Sequence, residues 1–127
     1  MPLAVMASSA QAATCSQATL KGTYLYSYTG TVVSGQDRGP FAYSGYDKYD
    51  GQGRARSIAT SNTNGKIEKR AGYGGTYVVY SNCIGVLKYS DGTAYDVFVA
   101  PDGSSLTFTD TTTGVVSTGT ENRMTTP

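Results

Sequence analysis

The chain contains no histidine, and that absence removes most of the familiar catalytic constellations. A Ser-His-Asp triad, a Cys-His pair and any histidine-based metal site are excluded. The two cysteines, Cys15 and Cys83, lack C-x-x-C spacing and have no adjacent histidine. Their simplest use is a single disulfide rather than a redox-active or zinc-binding thiol pair. Tyr, Asp, Glu, Lys and Arg remain, enough for proton transfer but with no motif to locate it. Asp47 and Asp50 are close in sequence but an odd number of positions apart, so on a strand they face opposite ways and make a poor glycosidase pair. Asp50, Asp91 and Asp102 each precede a glycine. A calcium loop would need further acidic ligands at alternating positions, and Asp-Gly is an ordinary hairpin signal. "GYGG" at 72–75 has no following helix and no Lys-Ser/Thr pair, so it reads as a strand bend rather than a phosphate loop. Lys66, Glu68, Lys69 and Arg70 read as a solvated edge. No catalytic residue, metal or cofactor is assigned.

Tyrosine is the other residue with chemical potential. The chain has eleven tyrosines and sixteen glycines, and "KGTYLYSYTG" at 21–30 sets Tyr24, Tyr26 and Tyr28 at alternate positions. On an extended strand all three point to one face. The elements that must carry them follow from recurring turn signals at 34–40, 50–53, 62–65, 90–92, 101–103 and 111–114. Between these lie β-rich segments near 20–33, 40–49, 54–61, 66–79, 83–89, 93–100, 104–110 and 115–123. Sequential hairpins at this spacing predict an all-β, eight-stranded antiparallel up-and-down meander. Eight strands can close into a barrel and so remove their exposed edges.

Alternation then assigns an inner face: Tyr24, Tyr26 and Tyr28; Phe41 and Tyr43; Tyr77 and Val79; Tyr95 and Val97; and Phe108 beside Leu106, with Asp96 outside. These residues are the candidate ligand-binding set. In the third strand, the small residues Ala55, Ser57 and Ala59 are favoured inside over Arg54, Arg56 and Ile58, because burying two arginines without partners is costly. "GTYLY" at 22–26 is echoed by "GTYVVY" at 75–80, with Tyr24 aligned to Tyr77. Tyr46 and Tyr80 are expected outside. A buried tyrosine hydroxyl needs a hydrogen-bond partner. Inward tyrosines therefore either surround a guest or satisfy one another, with threonines and trapped water, and the sequence leaves both open.

From Cys15 to about Arg123, "CSQATLKGTY", "YDGQGRARS", "GGTYVVYSNCIG" and "APDGSSLTF" resemble a group of small exported bacterial β-barrel proteins. The resemblance implies an eight-stranded barrel of the lipocalin or allene-oxide-cyclase type, and its motifs are turns and cysteines rather than chemistry. The "GTY" strand is also similar to that of biotin-binding barrels. Those rely on tryptophan, which this chain lacks, so that likeness carries no ligand.

The length of 127 residues fits one domain, expected over 13–127. Residues 1–12 read as a signal-peptide remnant: Leu3 to Ala7 is apolar, and Ala10-Gln11-Ala12 has the form of a cleavage site. The first positive charge is Lys21, so the usual basic leading region is missing. A secreted or periplasmic location follows. Ten Lys plus Arg against nine Asp plus Glu argues against a nucleic-acid partner, and the apolar run is too short for a membrane span. Three functions remain in play. The first is binding of a small amphipathic or aromatic ligand in a tyrosine-lined interior. The second is a cyclase or isomerase working without metal or histidine, and the third a protein- or glycan-interaction module with a filled core. The first is preferred, and oligomeric state is left open.

Overall fold

The computed structural model describes residues 14–125; the expected signal-peptide remnant lies outside them. Eight strands follow in order: β1 (Lys21–Val32), β2 (Gly39–Asp50), β3 (Arg54–Thr63), β4 (Lys66–Val79), β5 (Ile84–Tyr89), β6 (Ala94–Val99), β7 (Ser105–Asp110) and β8 (Val115–Arg123). Each pairs antiparallel with its neighbour, and β1 pairs with β8 to close the barrel. Closure gives every strand a neighbour on both sides, although β4 before Gly75 extends beyond its ladder with β5. The hairpin turns use the chemistry that the sequence signals predict. Asp50 accepts hydrogen bonds from the backbone N–H groups of Gln52 and Arg54 at 2.7 and 3.0 Å. Asp91 and Asp102 bond two residues ahead in the same manner. These aspartates shape the turns through their own side chains.

Alternation along the strands sets the two faces. In β3, Ala55, Ser57, Ala59 and Ser61 are buried while Arg54 and Arg56 are exposed. The small residues lie beneath the aromatic rings, and the guanidinium groups stay in water.

The two ends of the barrel differ. At one end lie the β2–β3, β4–β5 and β6–β7 turns and a single 3-10 turn, Gln17–Thr19. Here Cys15 is bonded to Cys83, across a sequence separation of 68, and Leu20 is fully buried. The segment from Cys15 to Leu20 therefore forms a floor under the barrel. Tyr77 donates from its hydroxyl to the carbonyl oxygens of Gln17 and Leu20 at 3.0 and 2.9 Å, and Tyr24 donates to the carbonyl of Gly103. Gly103 has φ +75, and a Cβ there would sit 2.3 Å from the Thr19 carbonyl oxygen, so only glycine allows the turn to meet the floor. Above it Val79, Leu87, Val97, Val99 and Leu106 form an apolar layer. The opposite end, with the β1–β2, β3–β4, β5–β6 and β7–β8 turns, has no such plug among the described residues.

Candidate functional site

Between the apolar layer and the open end lies a polar centre whose two carboxyl groups come from the strands on either side of β1. Asp47 on β2 is opposite Tyr24 of β1, and Glu121 on β8 is opposite Tyr26. Both carboxylates thus flank the tyrosine strand on the inside, and both are 3% exposed. Tyr49 links them, donating to Glu121 Oε1 at 2.9 Å with Asp47 Oδ2 at 3.4 Å. Tyr89 donates to Asp47 Oδ1 at 2.5 Å. Tyr26 and Ser57 share a hydroxyl–hydroxyl bond of 2.9 Å. Every fully buried side-chain polar atom among the described residues has a partner.

The electrostatics follow from burial and like charge. Loss of water, then the Asp47 charge and its hydrogen bond, push the Glu121 carboxyl well above its ordinary range. Glu121 therefore holds a proton where a free glutamate would have lost it. Tyr49 and Tyr89 are raised well above the usual phenol value, first by burial and then by the neighbouring carboxylates. These hydroxyls act as donors.

Above this centre the rings gather around Tyr28. Tyr43 stacks on it with centroids 5.4 Å apart and 18° between planes, while Phe108 meets it edge-on at 5.1 Å. Tyr28 and Tyr95 are joined by their hydroxyls at 3.2 Å, and burial pushes the Tyr95 phenol up to about 12. Inward glycines make the space. At Gly119, opposite Tyr28, a Cβ would lie 2.7 Å from Phe108 Cζ and 2.9 Å from Tyr28 Cβ.

The space left is small and divided. A cavity of about 40 Å³ runs from Asp91 and Thr93 at the open end to Asp47 and Glu121. That is room for a few waters, each needing roughly 10–15 Å³ on this measure. A wider recess of about 170 Å³ lies at the mouth, with Val32, Phe41, Asp110 and Val115 on its wall. Tyr28, Tyr43 and Tyr95 line both. The barrel is therefore filled in its lower half and indented at its mouth, rather than hollow throughout.

Of the expected ligand-binding residues, Tyr26, Tyr28, Phe41, Tyr43, Tyr95 and Phe108 border the cavity or the recess. Tyr24, Tyr77, Val79 and Val97 do not; they pack in the closed half. The echo between the two Gly-Thr-Tyr strands has a physical counterpart there. Tyr24 and Tyr77 both lie edge-on to Tyr49, at 5.1 and 5.2 Å, and both donate to backbone at the floor. Sequence reasoning missed the Asp47–Glu121 pair, Tyr49 and Tyr89. Strand parity was the available signal: Asp47 and Tyr49 share the odd-numbered inner face of β2 with Phe41 and Tyr43.

No model of a known protein family matches the chain, and no curated protein does. Among solved structures, a de novo designed fluorescence-activating β-barrel aligns over 84% of this chain and 94% of its own, with 12% identity and a TM-score of 0.49.

Proposed function

We propose that this protein binds a small aromatic or amphipathic molecule at the mouth of its barrel. The observation that carries the proposal is the aromatic recess at the mouth, sharing Tyr28, Tyr43 and Tyr95 with a small cavity that reaches a buried pair of carboxyl groups. Apolar walls give affinity, and a few convergent polar groups fix orientation. The occupant is small, because the recess falls below the roughly 300–1,000 Å³ of drug-sized sites. The disulfide supports work in an oxidising compartment outside the cytoplasm, in keeping with export of the mature chain and a barrel of lipocalin-like type. Native mass spectrometry of protein taken from its own host tests the proposal directly. A stoichiometric small molecule, lost on Tyr43→Ala, is the expected result. An empty barrel whose melting temperature is unmoved by a broad ligand panel would overturn it.

A second reading has one specific observation in its favour: Asp47 and Glu121 are buried side by side, with the proton held on Glu121. A carboxyl group that holds its proton above the ordinary range, beside a second carboxyl group, is the kind of pair that isomerisations use. Binding is preferred because the cavity reaching the two carboxyl groups, about 40 Å³, admits a small head group but not the body of a substrate.

A further inference from the structure

The walls of the cavity and recess carry ionisable groups of one sign. Asp47, Asp91, Asp110 and Glu121 border them, and among the described residues no lysine or arginine does. Over the protein as a whole the charges balance, so this bias belongs to the site. Low-dielectric walls concentrate the field of such groups at the opening. The remaining wall is aromatic, and ring faces attract cations. Among the described residues no three His, Cys, Asp or Glu side chains group as metal ligands, which argues for an organic cation over a metal ion.

We propose, resting on the binding function above, that the ligand is a small organic cation whose ammonium head enters the cavity between Asp47 and Glu121. Its apolar body then lies in the recess among Tyr28, Tyr43 and Tyr95. A water-sized cavity suits an ammonium head and excludes a bulkier group. Entry of the cation displaces the proton of Glu121. The O–H bond of the carboxyl breaks, its electron pair stays on the carboxylate, and the proton leaves to solvent as the ammonium takes its place. Asp47 and Tyr49 on β2, Tyr24 and Tyr26 on β1 and Tyr89 on β5 face Glu121. Arg123, two positions along β8, turns to the floor and donates to the Asp102 carbonyl at 3.4 Å. The base nearest in sequence therefore does not neutralise the site.

The test compares three probes of one shape: 2-phenylethylammonium, 2-phenylethanol and 3-phenylpropanoate, titrated calorimetrically into the full-length protein. The ammonium is expected to bind about tenfold or more tighter than the alcohol, with the carboxylate weakest. Its affinity should rise with pH by up to about tenfold per unit while Glu121 loses its proton. The probe itself stays cationic, its pKa being near that of lysine, about 10.4. Glu121→Gln should flatten that dependence and narrow the preference for the ammonium over the alcohol. If this variant does not fold, Asp91→Asn at the exposed rim should still lower the ratio of ammonium to alcohol affinity. Equal affinities, or tighter binding of the alcohol or carboxylate, would overturn the cation inference and leave the binding function standing. Failure of all three probes to bind would overturn the cation inference, and the binding function would then be decided by the broad ligand panel.

Discussion

The same side chain does two jobs at the two ends of this barrel. At the closed end, Tyr24 and Tyr77 give their hydroxyl protons to backbone carbonyls of Gly103, Gln17 and Leu20. In the polar centre above, Tyr49 and Tyr89 give theirs to Glu121 and Asp47, while nearer the mouth Tyr28 and Tyr95 bond to each other. A backbone carbonyl cannot titrate or turn away. A carboxyl group can change charge, and a neighbouring hydroxyl can rotate to water. The difference teaches that tyrosine content by itself predicts neither rigidity nor a site; the acceptor decides. Fixed acceptors make the floor a structural clamp, and ionisable ones make the upper half responsive to pH and to a guest.

The largest effect should come from breaking the clamp at its covalent point. The Cys15–Cys83 bond closes a loop with a sequence separation of 68, which the chain-entropy model values at about 4 kcal/mol. Replacing both cysteines by serine should lower the unfolding free energy by that order, read by urea titration. The raised tyrosine titrations of the upper half should survive below the melting point. Stability untouched by the double substitution would show that the floor holds without its bond.

The next largest concerns pH, and the comparison fixes its sign. The Glu121 pKa is raised in the fold above its ordinary value of 4.5, so the folded state binds the proton more tightly than the unfolded chain. The resulting stability is complete below pH 4.5 and is lost as pH rises through the folded value. The slope approaches about 1.4 kcal/mol per pH unit for one proton. Glu121→Gln should show a flatter profile and overtake the unmodified protein on the alkaline side of that window. Parallel profiles for the two would place the responsive group elsewhere.

Much of this architecture was legible in sequence because its determinants are local. Asp-Gly turns and period-two alternation mark eight strands within a residue or two of their observed ends, and Ser57 between two alanines fixes the inner face of β3. The carboxyl pair was not legible, since Asp47 and Glu121 meet only through barrel closure, β2 and β8 flanking β1 from opposite sides. Spacing along the chain correctly set Asp47 and Asp50 on opposite faces, but it carries no information about a partner two strands away around a ring. The division between filler and wall was equally hidden. Tyr24 and Tyr28 share one face of one strand, and only their depth in the barrel separates a floor donor from a mouth-lining ring.

The smallest effect bears on that last distinction. Tyr24→Phe removes the donor to the Gly103 carbonyl at a site that is 0% exposed, where no water can replace it. The loss should be about 1–2 kcal/mol, the cost of an unsatisfied buried acceptor. Tyr95→Phe removes the donor or acceptor opposite Tyr28 beside the cavity. There the Tyr28 hydroxyl can turn to a water in the remaining space, so the loss should stay below about 0.5 kcal/mol. The two variants delete the same atom from the same residue type, which removes composition and ring packing from the comparison. Urea titrations at one pH measure the difference. Equal losses would mean that the hydroxyls of both ends are held alike, and the upper half would then be a second clamp rather than a site.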